Sequence, residues 1–456
     1  MIGSGPAGFY AAGHLLKNSD STLEVDMFER LPTPWGLVRS GVAPDHPKIK
    51  SVTRVYEKTA ANPRFRYYGN VNFGKHISRA ELLEHYHAIV YATGSPSGRS
   101  LGIPGEELPG SHAATEFVGW YNGHPDHTDL EVDLASAERA VVVGNGNVAL
   151  DVARMLALEP SELSNTDTAD HALAVLRDSR VKEVVVLGRR GPAQAAFTNP
   201  ELLELGELAD ADVTVDSEEL ERALAVHDAI AERKITASRN VAILREYAQR
   251  APAGHSKRIA LRFLVSPTRL VAGPDGHLAK IELSRNELVA GDDGSLRART
   301  TGEQETIEVG LVFRAVGYRG IALPSVSFDE RAAVIPNRGG RVIHPVTGKR
   351  CPGEYVVGWI KRGASGVIGT NKKDAQETVD AIFADLAKGT PHVPRDPDAQ
   401  SVDRTLRERQ PDLVTYTGWE AIDQHERACG EPQGRPRVKL TRIEEMLAVT
   451  ARRHGS

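Results

Sequence analysis

The feature that most restricts the fold of this chain is a pattern that occurs twice. A turn with glycines at its first and third places is followed, each time, by a helix-forming stretch. The first copy is Gly3-Ser4-Gly5-Pro6-Ala7-Gly8, leading into "PAGFYAAGHLLK". The second lies in "AVVVGNGNVALDVARML", where Val141 to Val143 read as a buried strand, Gly144, Gly146 and Ala149 hold the small-residue places, and a helix begins at about Asn147. In a G-x-G-x-x-G/A turn the first glycine permits the tight bend and the second lets a pyrophosphate approach the backbone. The third lets helix and strand pack closely. The helix beyond presents unpaired N–H groups and partial positive charge to an anion. Pro6 suits a first helical position, where its missing N–H is not needed. Taken alone, either turn is also compatible with a plain strand–helix connection. The agreement of turn, helix and following strand is what points to a dinucleotide.

The two copies differ after the helix. The first continues into the β-like run "LEVDMFE", ending in Glu29. A carboxylate there can accept hydrogen bonds from both hydroxyls of an adenosine ribose, so an unmodified 2′-hydroxyl is expected, as in FAD or NAD. The second continues into an insertion, "PSELSNTDTADHALAVLRDS", and then the strand "VKEVVVLGRRG", which ends in Arg189 and Arg190. A carboxylate repels a 2′-phosphate, whereas guanidiniums bind one in forked, charge-assisted pairs. The first loop therefore predicts FAD and the second NADPH. Elsewhere, two adjacent arginines would read as a solvated surface loop. Their place at the end of a second Rossmann strand points to a phosphate.

A chain of 456 residues exceeds one simple core and suggests two or three domains. Two further strand ends, "HAIVYATGS" at Gly94 and "GLVFRAVGYRG" at Gly317, mark where the chain leaves and re-enters a first domain. The expected class is α/β, with two nested Rossmann-like dinucleotide-binding domains of three ββα layers. Residues 1–95 form the first part of an FAD domain and 96–314 an inserted NADPH domain. Residues 315–456 complete the FAD domain and add a tail, in which a Pro/Asp-rich loop, "KGTPHVPRDPDAQ", precedes two more helical stretches. The feeding strand of the first loop is reduced to Met1 and Ile2, which leaves open further residues or a fused domain upstream.

The net charge of −5 argues against a generic nucleic-acid binder or a polybasic membrane-surface protein. With only Cys351 and Cys429, the chain alone builds no disulfide framework, zinc site or iron–sulfur ligation. No apolar run reaches membrane-spanning length and no signal peptide precedes the fold, so a reducing, cytoplasmic location is expected.

Several strings together resemble one family. They are "GSGPAGFYAA", "FERLPTPWGLVRSGVAPDHPKIK", "RFRYYGNV", "GNGNVALDVAR", "GRRGPAQAAFT", "EYVVGWIKRGASGVIGTNKKDAQETV" and "GRPRVKL". The chain resembles the NADPH–adrenodoxin/ferredoxin reductases, of glutathione-reductase-like fold, including their bacterial ferredoxin–NADP reductase members. By position, the resemblance implies FAD contacts at Ala7, Glu29, Leu37, Phe73, Trp359 and Gly366-Val367-Ile368. It implies NADP contacts at Arg99, Asn145, Gly146, Asn147, Val148, Arg189, Arg190, Glu201 and Gly366. His46 and Glu204 correspond to the family's polar pair near the nicotinamide. Phe73 stands where the family usually has valine, which matters little if that contact is made through the backbone. Physical readings accompany these. Trp359 is read at a strand end, and a glycine-rich loop leads into a helix from about Thr370 whose N-terminus faces the flavin. His46, between prolines, would by itself read as a surface residue, and Glu204 as a helix-surface carboxylate.

The implied activity is hydride transfer from NADPH to FAD, then single-electron transfer to a small acidic ferredoxin. A cytochrome P450 is one downstream acceptor that the resemblance leaves open. An acidic partner calls for a basic docking face whose binding weakens with salt. The candidates are Arg233, Lys234, Arg239, Arg245, Lys257 and Arg258, with Lys48 and Lys50 near the flavin loop; each is equally readable as a solvated charge. Two other readings compete: an FAD-dependent NADPH oxidase or monooxygenase, and a nucleotide-binding scaffold without a redox cycle.

Overall fold

The computed structural model describes residues 1–17, 23–230, 235–291, 295–389 and 392–454. The chain divides into two compact units. One comprises Met1–Ser97, Asn122–Pro125 and Tyr318–Ser456, and the other Gly98–Tyr121 and Asp126–Gly317.

In the first unit, Val25–Phe28 is buried along its length and pairs in parallel with Phe65–Tyr68. Three of its four residues are apolar, and the fourth, Asp26, is buried and accepts Arg66 Nε–H at 2.6 Å. Ile89–Tyr91 belongs to a four-stranded sheet with Arg350–Val356, Arg341–Ile343 and Asn337–Arg338. Ile2 joins the two groups by parallel bridges to Phe28 on one side and Tyr91 on the other. Its N–H donates to Val90 O at 2.9 Å, and the Gly3 N–H donates to Phe28 O at 2.8 Å. A single residue thus occupies the central-strand position, and the first glycine turn leaves from it into the Pro6–Leu16 helix. That helix buries Ala11 and Ala12 completely, as the Thr370–Ala387 helix does Ala375, and small side chains allow the two to pack together.

The tail of this unit carries three helices, Ala399–Arg409, Tyr416–Gly430 and Ile443–His454, where the sequence reading expects two. Asp398 and Thr415 each cap a helix by accepting backbone N–H groups, from Gln400 and Gly418 respectively. The Tyr416–Gly430 helix packs on the segment that holds Leu37. Glu426, with no exposed surface, accepts Arg39 at 2.9 and 2.5 Å through its two oxygens, Arg437 at 3.1 Å and the Leu440 N–H at 2.9 Å. Arg39 also lies over the Trp419 ring, and Lys439 Nζ donates to Arg39 O at 3.1 Å.

The second unit is built on six parallel strands in the order Ser111–Ala113, Leu311–Arg314, Arg139–Val143, Glu183–Gly188, Lys257–Phe263 and Ala211–Val215. The insertion that lengthens the second nucleotide unit forms two helices, Pro160–Leu163 and Asp170–Arg177, which bury Leu163, Ala172, Leu173 and Leu176. It is therefore absorbed into the core, and Glu183–Gly188 still pairs in register beside Arg139–Val143. A second, antiparallel sheet of Val265–Ala272, Leu278–Ala290 and Leu296–Glu308 is not distinguished by the sequence reading. Its signals are the turn "PDG" and the alternation that buries Leu278, Ile281, Leu283 and Leu288.

Candidate functional site

The first glycine turn divides its tasks among its residues. Gly3 has φ +100°, and a Cβ added there would stand 2.6 Å from the Ala92 carbonyl oxygen; one at Gly8 would stand 2.5 Å from Gly3 O. Both positions are closed by backbone. A Cβ at Gly5 would meet nothing within 4 Å, so the middle glycine faces open space. That is where a pyrophosphate needs to approach. Replacing Gly5 by Ala should leave the fold intact, since its φ of −75° suits any L-residue. FAD affinity should fall about tenfold or more from loss of close backbone contact. Equilibrium dialysis with FAD, beside a thermal melt of the flavin-free protein, reads the two effects apart. An unchanged FAD affinity would count against the cradle.

Glu29 stands just past the Val25–Phe28 strand, and its position is set by the turn. Oε2 accepts the Ser4 N–H at 3.0 Å and the Ser4 hydroxyl at 2.6 Å, and Oε1 accepts the Leu31 N–H at 3.1 Å. The partly exposed carboxylate is thereby fixed beside the glycine turn. Leu37 opens a one-turn helix, Leu37–Ser40, with more than a third of its surface exposed. The Phe73 ring is buried edge-on to Tyr91, so any contact it offers outward is made by its backbone. Trp359 is not at a strand end: the strand stops at Val356, and Trp359 opens the one-turn helix Trp359–Arg362. Its Nε1–H donates to Ser365 O at 3.0 Å and its ring lies 5.3 Å from that of Tyr318. Gly366 and Val367 are exposed and Ile368 half-buried, immediately before the helix that starts at Thr370. The first N–H groups of that helix turn back to Val367 O and Ile368 O, so its end offers mainly the helix dipole. His46 is half-buried, and its carbonyl accepts the Ile49 and Lys50 N–H groups at the start of the Pro47–Lys50 turn.

The second turn repeats the plan within its own unit. Gly144, at φ +136°, would put a Cβ 2.2 Å from Ala315 O, whereas Gly146 has only Ala196 Cβ, 4.0 Å away. Asn145 O accepts the Ala196 and Phe197 N–H groups, and its buried Nδ2 has no acceptor among the described residues. Asn147 Oδ1 accepts the Thr198 N–H at 2.8 Å and its Nδ2 lies 3.5 Å from Glu201. Val148 is half-buried beside them. Glu201 and Glu204, one turn apart on the Asn199–Leu205 helix, lie 3.6 and 3.5 Å from Arg154 Nη1. Sequence reasoning missed Arg154. Its signal is a lone cation on the apolar side of "VALDVARML", where it is almost fully buried and also pairs with Asp151 at 2.8 Å.

Arg189 and Arg190 come directly after the last residue of the Glu183–Gly188 strand. Their backbone is held from outside: Arg189 O accepts Asn286 Nδ2–H at 2.8 Å and Arg190 O accepts the Leu264 N–H at 3.2 Å. Asn286 comes from the antiparallel sheet and is likewise missed by sequence reasoning. Neither guanidinium forms an ion pair among the described residues; partial burial, and then the charge of Arg189, weaken the protonated form of Arg190. Two adjoining cations without an anion make a site for one. Arg99 lies at a connecting segment of the same unit, its N–H donating to Gly317 O at 3.0 Å.

The open glycines, the fixed carboxylate, the orphaned Asn145 amide and the uncompensated arginines fit an adenine dinucleotide with a free ribose in one unit and a 2′-phosphorylated one in the other. The proposed docking cations fare less uniformly. Arg233 and Lys234 lie outside the described residues. Arg245 is held by Glu221 at 2.7 and 2.9 Å, Arg258 by Glu183, and Lys257 by Leu158 O at 3.1 Å. Those three are used within the fold, while Arg239 and Lys48 are exposed and without an ion pair among the described residues.

The model of the pyridine nucleotide-disulphide oxidoreductase family matches residues 1–187. The cysteines, Cys351 and Cys429, both lie beyond that stretch. The chain is 52% identical over 454 residues to the NADPH-ferredoxin reductase FprA of Mycobacterium leprae, covering 98% of this chain and 97% of that protein. It is 42% identical to the mitochondrial NADPH:adrenodoxin oxidoreductase of Homo sapiens, covering 98% of this chain and 90% of the other. Among solved structures, Mycobacterium tuberculosis FprA in complex with NADPH superposes with a TM-score of 0.92 at 51% identity, over 99% of this chain and 98% of that one.

Proposed function

The chain belongs to the NADPH–ferredoxin reductase family that includes the adrenodoxin reductases, and from that premise we propose which of its residues hold which dinucleotide. The protein is an FAD-dependent oxidoreductase that passes electrons from NADPH to an iron–sulfur ferredoxin. In our reading the unit beginning at Met1 binds FAD and the unit of residues 98–121 and 126–317 binds NADPH. The observation that carries this is the difference between two corresponding strand ends. Glu29 is fixed by Ser4 and Leu31 at one, and the arginine pair without a counter-anion stands at the other.

When bound, FAD supplies the conversion between a two-electron donor and a one-electron acceptor. The protein's part is binding, orientation and exclusion of water. Glu29 accepts from the ribose hydroxyls, and Gly5 admits the pyrophosphate to the backbone. Leu37, Trp359 and the 366–368 stretch frame the ring system, with Phe73 contributing backbone. At the other coenzyme, Asn145 to Val148 meet the pyrophosphate with Arg99, and Arg189 and Arg190 clasp the 2′-phosphate. Glu201 is read as an NADP contact and Glu204 as a polar neighbour of the nicotinamide, both oriented by Arg154; His46 is separately assigned the role of a polar neighbour of the nicotinamide. We further read the partner as a small acidic ferredoxin, which Arg239 and Lys48 would help to dock, with a P450 as one downstream acceptor. We read the location as cytoplasmic, which the two free thiols, Cys351 and Cys429, support; no helix among the described residues is long and apolar enough to cross a membrane.

Anaerobic mixing with each coenzyme tests the assignment. The purified protein should be yellow and bleach much faster with NADPH than with NADH, and it should reduce cytochrome c quickly only when a ferredoxin is added. A folded sample that stays colourless when saturated with FAD would overturn it. Rapid NADPH consumption without ferredoxin would favour the oxidase reading.

A further inference from the structure

Within the first unit, a buried carboxylate far along the chain from the glycine turn ties together the segments read above as flavin contacts. Asp374 sits in the second turn of the Thr370–Ala387 helix and is about nine-tenths buried. Oδ2 accepts the Gly358 N–H at 2.6 Å and lies 3.4 Å from Arg362 Nη1; Oδ1 lies 3.0 Å from Lys361 Nζ. A carboxylate this buried persists as an anion only where cations and N–H groups surround it. Here all three partners come from residues 358–362, the segment that carries Trp359.

The same segment touches the first glycine turn. A Cβ at Gly358 would stand 2.6 Å from Ala7 Cβ, so the chain passes Ala7 too closely for any side chain. On its other side Arg362 Nη2 donates to Asn371 Oδ1 at 3.1 Å, and Asn371 Nδ2 donates to Ile368 O at 3.2 Å. Lys361 is itself secured by Glu377 at 2.8 Å and Thr378 at 3.2 Å. Asp374 is thus the common anchor of Trp359, of the Gly366–Ile368 stretch and of the surface facing Ala7. We propose that Asp374 is a positioning residue for FAD, acting through residues 358–368 and through its negative charge between Lys361 and Arg362. This rests on the assignment of FAD to this unit.

The test compares Asp374→Asn and Asp374→Glu with the unaltered protein. Flavin-free protein is titrated with FAD, and the midpoint potential of the bound flavin is measured. Asparagine keeps an acceptor for Gly358 but removes the charge, leaving Lys361 and Arg362 with one anion fewer. FAD should bind about tenfold more weakly, and the flavin potential should move to a more positive value, because net positive charge has been added beside the site. NADP, read as meeting this stretch only at Gly366, should lose less affinity than FAD does. The glutamate variant keeps the charge but displaces it by one methylene, so it should weaken FAD while holding the potential near that of the unaltered protein. That variant carries the test if the asparagine protein does not fold. A lowered melting temperature with FAD affinity and potential unchanged would overturn the inference and leave Asp374 a merely structural residue. If the unaltered protein itself takes up no FAD, the underlying assignment falls as well, a result distinct from a failure of Asp374 alone.

Discussion

Replacing Arg189 and Arg190 together by Ala should lower kcat/KM for NADPH more than a hundredfold while changing that for NADH by about threefold or less. A charge-assisted contact to a phosphate contributes roughly 1.5–3 kcal/mol, and about 1.4 kcal/mol is a factor of ten. Two such contacts directed at one group therefore remove about 3 kcal/mol or more. The discrimination is one-sided because NADH lacks the group that the guanidiniums address. The loss should appear mainly in KM, since the phosphate lies remote from the transferred hydride and is bound alike in ground and transition states. The fold should not suffer. The segment is held by its carbonyls through Asn286 and Leu264, and removing two adjoining cations relieves a repulsion. Steady-state kinetics with both coenzymes, beside a thermal melt, checks all three statements. A double variant that still prefers NADPH would show that the 2′-phosphate lies elsewhere.

The second large effect concerns stability. Glu426→Ala should destabilise the protein by about 3–5 kcal/mol, because it leaves the buried Arg39 without its partner rather than removing a pair together. Leu440 would also lose the acceptor of its N–H. Burial alone would raise the Glu426 carboxyl; Arg39, then Arg437 and the Leu440 N–H outweigh it and hold it below the usual range. That depression fixes the sign of the pH dependence. The contribution is complete above the unfolded value of about 4.3 and is lost as pH falls through the lower folded value. Denaturant melts of the two proteins should therefore differ most at neutral pH and converge in strong acid. The segment from Leu37 onward should loosen with the bridge, so the variant should release FAD during denaturation before its global transition. Equal stability of the two proteins at neutral pH would refute this account.

The parts legible in the sequence are those whose signal is local. A glycine turn, the helix it opens and the acid or arginine at the next strand end lie within a few dozen residues, and each residue type is demanded by chemistry at that place. Glu29 and Arg189–Arg190 can therefore be read without knowing the rest of the chain. Trp359 reads as a strand end because "EYVVGW" is continuous in apolar character, whereas Gly358 breaks the strand after Val356. The tail holds one helix more than expected because the Thr415 cap starts Tyr416–Gly430 only a few residues after Ala399–Arg409 ends. The supporting charges are out of reach altogether. Arg39 and Glu426 are 387 residues apart, and nothing in either neighbourhood names the other. Asp374 and Asn286 stand among other polar residues and read as surface until the fold buries them, and Arg154 carries only the faint signal of a cation on an apolar helix side.

The way the Arg189–Arg190 tip is fastened separates coenzyme choice from folding. Carbonyl oxygens belong to every residue type, so Asn286 and Leu264 would hold the same peptide path whatever side chains it bore. On the assignment proposed above, the two side chains can be exchanged without rebuilding their mount, and the preference for the phosphorylated coenzyme can be given up in two codons while the peptide path stays in place.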